Sequence, residues 1–150
     1  MTAVIAWHGL ARTGRDFDWL AEQLCADYLV VCPDTIGRGL SQWARDPKED
    51  YSFVTYTHIA WDMMQALHID QAHWIGTSMG GALGLVCAAG LVEPQLKSRI
   101  RSLVLNDIAP DPPLRPRHHA TVFSRSARVP AVDRVRRARH PRHDLARRAV

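Results

Sequence analysis

A short strand-like run at residues 72–75 leads straight into Gly76-Thr77-Ser78-Met79-Gly80-Gly81, and a stretch of small apolar residues follows to residue 91. No other segment restricts the fold as much. A G-x-S-x-G sequence between a strand and a helix puts the serine on a sharp bend, and the flanking glycines allow strained backbone and close helix–strand packing. The plainer reading of Ser78 is a helix N-cap in a glycine-rich turn. Either way a strand feeds directly into a helix that lies close against it.

The rest of the first 111 residues repeats that alternation. Residues 3–7 form an apolar run that stops at His8-Gly9, as a buried parallel strand would. Asp16 is placed to cap a helix over residues 17–26, in which Phe17, Leu20 and Leu24 recur at helical spacing. A second strand over residues 28–32 is stopped by Pro33. Residues 34–50 contain several glycine and proline breakers and read as a long loop. Ser52 or Thr55 then caps a helix in which Ile59, Met63, Ala66 and Leu67 share a face, with Met63 and Met64 filling core space. A fourth strand is expected at residues 103–105. Strand and helix in strict alternation predict an α/β fold, a doubly wound parallel sheet of about four strands with flanking helices. In such sheets functional groups gather at the carboxyl ends of the strands, near the point where strand order reverses. Three loops meet that description: His8-Gly9-Leu10, residues 34–41 and residues 76–80.

A serine hydroxyl becomes a useful nucleophile only when a base takes its proton and fixed donors receive the oxyanion. The Met79 amide, just after Ser78 at a helix start, is one candidate donor. The loop after the first strand should supply another, and there Gly9 permits the turn and Leu10 offers its amide. His8 is more readily a turn residue, its imidazole bonded to nearby backbone, than a base.

Together His8-Gly9-Leu10, Asp34-Thr35-Ile36-Gly37-Arg38-Gly39-Leu40-Ser41, Gly76-Thr77-Ser78-Met79-Gly80-Gly81 and residues 103–110 resemble the α/β-hydrolase family over residues 3–111. The resemblance implies Ser78 as nucleophile, His8, Gly9, Leu10 and Met79 as the oxyanion and substrate-binding group, and Asp34 and Ser41 as loop-fixing residues. It implies hydrolysis of small-molecule esters or related acyl compounds, with no cofactor. The match starts at what the family counts as its third strand, so a core partial at both ends is expected. Asp107 is a possible acid, because some members draw theirs from the loop after this strand. His118, His119, His140 and His143 are the downstream histidines, and none follows an apolar strand. Impaired turnover is therefore expected.

Charge divides the chain near residue 111. Residues 1–111 carry 8 Lys+Arg and 13 Asp+Glu, whereas residues 112–150 carry 11 Arg and 2 Asp. All nine Gly and all five Trp precede that seam. The first segment reads as a globular core and the second as an Arg/Pro-rich tail, either disordered or translated in a shifted reading frame. The shifted frame explains best the abrupt loss of Gly, Trp, Lys and Glu. Three cysteines without a C-x-x-C pair exclude a disulfide framework or zinc knuckle, and no P-loop, dinucleotide fingerprint or H-E-x-x-H is present. With no signal-like or membrane-spanning run, a cytoplasmic location is expected. The alternatives are a catalytically inactive binding module of the same fold, acyl transfer to an alcohol or thiol, and nucleic-acid binding through the arginines.

Overall fold

The computed structural model of the chain describes residues 2–108. The expectations for the Arg-rich tail and its histidines lie outside the described residues. In chain order the elements are β1 (Ala3–Trp7), a 3-10 turn (Gly14–Phe17), α1 (Asp18–Leu24), β2 (Leu29–Val31), α2 (Pro47–Asp50), α3 (Phe53–Ala66), β3 (Ala72–Thr77), α4 (Met79–Ala89), α5 (Leu96–Arg99) and β4 (Ile100–Asn106).

The four strands form one parallel sheet in the order β2-β1-β3-β4. The chain leaves β1 towards β2, then crosses back to lay β3 along the other side of β1. Strand order thus reverses between β1 and β3, whose register pairs Ala3 with Ala72 and Trp7 with Gly76. The crevice at the carboxyl ends of those two strands is the place where this fold class binds ligands.

Every residue of β1 is buried, because helices cover both faces of the sheet at its centre. Ile5, Trp7 and Trp74 meet Tyr56, Ala60 and Met64 of α3 and Leu83 and Cys87 of α4 in a single core. Val4 and Ala6 alternate to the opposite face, on the side of the 3-10 turn. Trp7 and Trp74 are fully buried and stack with centroids 5.4 Å apart and planes 7° from parallel.

Several local expectations are corrected. Asp16 does not cap the first helix: the turn begins at Gly14, so Asp16 lies inside it and its carboxylate takes Arg12 instead, at 2.7 Å. The buried face of α3 is Tyr56, Thr57, Ala60 and Met64, one step round from the stripe of Ile59, Met63, Ala66 and Leu67. Ala60 at the centre of that face lets α3 approach its neighbours closely, and the helix ends at Ala66, which leaves Leu67 exposed in the cap. Ser52, not Thr55, is the cap, accepting the Thr55 N–H at 3.2 Å. The loop over residues 34–50 contains the one-turn α2, capped by Asp46 through Lys48 N with Pro47 in its first turn.

Candidate active site

Ser78 stands between β3 and α4 with φ 50° and ψ −113°, a region L-residues avoid. The bend is held from both sides. The Ser78 N–H donates to Asn106 O at the end of β4 (2.8 Å), while the Ser78 carbonyl accepts from Gly81 and Ala82 (2.9 and 3.0 Å). Ser78 occupies the N-cap position, yet its side chain makes no capping hydrogen bond. The simple N-cap reading therefore does not describe it. As a residue Ser78 is half-buried.

Both motif glycines are dictated by contact. A methyl on Gly80 would collide with the carbonyl of Trp7, and one on Gly76 with the carbonyl of Gly80. A methyl on Gly9, in contrast, would stand 3.7 Å from Ser78 Cβ in ordinary contact. The loop after β1 therefore lies directly beside the serine.

That loop is set by His8, which is fully buried. The Thr35 N–H donates to His8 Nε2 at 2.9 Å, so Nε2 is the unprotonated nitrogen and Nδ1–H donates to Gly9 O at 2.7 Å. Gly9 O also accepts from Arg12 N at 3.1 Å. A trans peptide points its N–H away from its carbonyl, so these two donors also orient the Leu10 amide. Among the described residues neither the Leu10 nor the Met79 N–H is taken by a backbone acceptor. The Trp pair extends the frame: Trp7 Nε1 donates to Thr35 Oγ1 (2.8 Å) and Trp74 Nε1 to Gly80 O (3.0 Å). Thr35, Trp7 and Trp74 were not singled out by sequence reasoning, since nothing local marks an indole whose partner lies on another loop.

Asp34 fixes the neighbouring loop. Its carboxylate accepts Gly14 N (2.7 Å) and Leu40 N (2.8 Å), and Ser41 Oγ donates to its carbonyl (2.6 Å). The Leu40 N–H, seconded by that of Gly14, holds the Asp34 carboxyl below the usual carboxylate range. A carboxyl whose folded pKa is depressed stabilises the fold above its unfolded pKa, and that contribution is lost as pH falls through the folded value. Asp34→Asn keeps one acceptor and sets an NH2 against the other N–H, which should cost about 1–3 kcal/mol at pH 7. Urea melts of both proteins at pH 7 and pH 3 are the check. The gap should shrink at pH 3, and a gap of equal size there would contradict this account of Asp34.

Asp107 follows Asn106 at the carboxyl end of β4, with φ 55°, and is exposed. Asn106 Nδ2 donates to Thr77 Oγ1 at 3.2 Å, which ties this loop to the bend. Two other described histidines are committed elsewhere: His73 Nδ1 pairs with Ser102 Oγ at 2.7 Å, and His58 with Glu93 at 3.4 Å. Burial, and secondarily Arg101, lowers the His73 pKa. Burial pushes the Cys87 thiol on α4 up to about 12, which leaves it inert as a nucleophile. Among the described residues no group of three or more His, Cys, Asp or Glu is placed to hold a metal ion, and no helix is long and apolar enough to cross a membrane. An open recess lined by Thr2, His68, Asp70, Gln71 and Arg101 lies at the other end of the sheet and takes no part in this arrangement.

Residues 2–132 match the family model of the alpha/beta hydrolase fold. The chain is similar to a 3-hydroxybutyrate-oligomer hydrolase of Cupriavidus necator, 45% identical over 107 residues, covering 71% of this chain and 34% of that protein. Similarity to esterase YbfF of Escherichia coli is 33% over 107 residues, covering 71% and 39%. Among solved structures, an alpha/beta hydrolase from Novosphingobium aromaticivorans superposes with a TM-score of 0.66 at 36% identity, covering 73% of this chain and 36% of that one. The chain spans about a third of the length of these relatives.

Proposed function

Because the chain belongs to the α/β-hydrolase fold family, we propose that it carries the nucleophilic half of an ester hydrolase, with Ser78 as the attacking group. The observation that carries this reading is the Ser78 bend itself: a positive-φ serine, free of any capping bond, at the carboxyl end of a central strand and beside Gly9. Strain of this kind persists where surrounding structure enforces it, and it concentrates at reactive positions.

In the proposed reaction Ser78 Oγ adds to the ester carbonyl as its proton passes to a base. The carbonyl oxygen becomes an oxyanion received by the Leu10 and Met79 amides, and collapse expels the alcohol, which takes up the proton. Water then adds to the acyl-serine and releases the acid. His8 and Gly9 shape the oxyanion loop, and Asp107 is the candidate acid because it follows Asn106, whose carbonyl accepts the Ser78 N–H at 2.8 Å. Small esters are the substrate class. Short 3-hydroxybutyrate oligomers are the first to try, given the named activity of the Cupriavidus relative.

We expect slow turnover. Among the described residues both ring nitrogens of His8 are occupied, His73 is bonded to Ser102, His58 faces Glu93, and His68 lines the recess at the other end of the sheet. Loss of the base from a serine triad costs roughly 10⁴- to 10⁶-fold in rate, which leaves the contribution of binding and oxyanion donors. The test is labelling with an activated fluorophosphonate, mapped by mass spectrometry. The adduct should form slowly, on Ser78, and vanish in Ser78→Ala. Adducts on another residue, or labelling equal in Ser78→Ala, would remove Ser78 as the nucleophile. Fast labelling confined to Ser78 would instead overturn the expectation of impairment.

A further inference from the structure

We propose that Arg38 reads a carboxylate at the mouth of this site, so that the preferred substrate is an ester bearing a free acid group. The inference rests on the Ser78 reading above and adds a substrate class to it. Arg38 is half-buried, and among the described residues no carboxylate forms an ion pair with it. Arg12 and Arg15, by contrast, are matched to Asp16 and Asp18. Asp34, the acid on the same loop, spends both oxygens on the Gly14 and Leu40 amides. A cation drawn partly out of water without a counter-ion is costly, and an incoming anion would relieve that cost.

The guanidinium is also fixed in place. Nε donates to Leu10 O at 3.0 Å, Nη1 donates to Ile36 O at 2.9 Å and Tyr56 Oη at 3.2 Å, and the group lies over the Tyr51 ring at 5.0 Å from its centroid. These contacts leave Nη2, with two N–H groups, without a partner among the described residues. A planar donor held rigid in this way loses little entropy on binding, and a guanidinium matches a carboxylate in both charge and geometry. Its location gives the inference its meaning: the cation is bonded to the carbonyl of Leu10, the residue whose amide faces the developing oxyanion in the proposed reaction. Leu10, which accepts from Arg38 through its carbonyl, is exposed, as is Leu40 two residues along the loop, so a short apolar spacer between ester and acid would be accommodated.

The test uses the whole chain carrying Ser78→Ala, which binds without turnover. Monomethyl esters of succinic, glutaric and adipic acids are titrated against the matching dimethyl esters, with binding followed by calorimetry. At least one half-ester should bind about tenfold more tightly than its diester, with the advantage shrinking as salt is added. R38M should bring the ratio near one, and R38K should keep part of it. Equal weakening of both esters in R38M would make Arg38 a strut only, and a ratio that survives R38M would place recognition elsewhere. Binding of neither ester overturns the proposal as well. Should R38M fail to fold, the Arg38 Nε–H resonance of the Ser78→Ala chain provides the readout: it must shift with the half-ester and stay still with the diester. Failure of the Ser78 reading would show separately, in the phosphonate labelling, because these titrations need no nucleophile.

Discussion

Gly80→Ala is expected to abolish cooperative folding, a loss of about 4 kcal/mol or more. Inserting one methyl into a packed interior ordinarily costs about 1–3 kcal/mol, because side chains can shift rotamers to make room. Here the obstacles are backbone: the carbonyl of Trp7, its carbon at 2.6 Å and the His8 carbonyl at 2.9 Å from the new methyl. β1 cannot withdraw, since it is hydrogen-bonded to β2 on one side and β3 on the other. Nor can α4 retreat without breaking the bond from Trp74 Nε1 to Gly80 O and the close approach of Gly76 to Gly80. A domain whose whole stability is of order 5–15 kcal/mol has little margin for such a change. Gly9→Ala is the matched control, because its methyl would make only ordinary contacts, the nearest at 3.7 Å. Circular dichroism and urea melts should show Gly9→Ala folded within about 1 kcal/mol of the parent. A Gly80→Ala protein that melts like the control would show that the helix start is more compliant than its contacts indicate.

The same glycines mark what was readable from the sequence. Strand, glycine-flanked serine and small-residue helix lie next to one another in the chain, so the bend at Ser78 could be written down from spacing alone. The parallel sheet followed from the apolar runs at β1, β2 and β3, and the loop-fixing part of Asp34 and Ser41 from a resemblance over eight consecutive residues. What escaped depended on partners distant in sequence. Trp7 and Thr35 are 28 positions apart, and His8 and Thr35 are 27 apart. Nothing local to Arg38 marks it, yet its guanidinium links Leu10, Ile36 and Tyr56. The α3 stripe was misplaced by one residue because two overlapping faces both offer apolar side chains, and only the packing of Ala60 selects between them. The helix α2 has a local signal in Asp46-Pro47, a cap followed by proline, but the glycine breakers earlier in the same loop mask it. β4 runs from Ile100 to Asn106, longer than residues 103–105, because Ile100 and Ser102 pair with Ala72 and His73, with Arg101 at a register shift between them, through backbone that side-chain polarity does not reveal.

His8→Phe should combine a stability loss of about 2–4 kcal/mol with a rate loss of about 10²- to 10³-fold in phosphonate labelling of Ser78. Phe fills nearly the same buried volume, so the change isolates the two ring nitrogens. Without Nε2 the Thr35 N–H loses its acceptor, and an unsatisfied buried donor costs about 1–3 kcal/mol. Without Nδ1–H the Gly9 carbonyl keeps only the longer bond from Arg12 N, at 3.1 Å. The peptide joining Gly9 to Leu10 then has one restraint in place of two and can rock about its neighbours. Under the proposed mechanism that motion matters, because the N–H on the far side of this peptide is the one aimed at the oxyanion. Removal of one such donor typically costs the stated rate factor. Stability and rate must be separated, and Met64→Ala does so: it opens the α3 face of the core at a comparable stability cost and leaves the loop untouched. Measured at a temperature where both variants remain folded, Met64→Ala should label within a few-fold of the parent while His8→Phe lags far behind. Equal labelling rates in the two variants would mean that the imidazole supports the fold alone, and that the Leu10 amide finds its orientation without it.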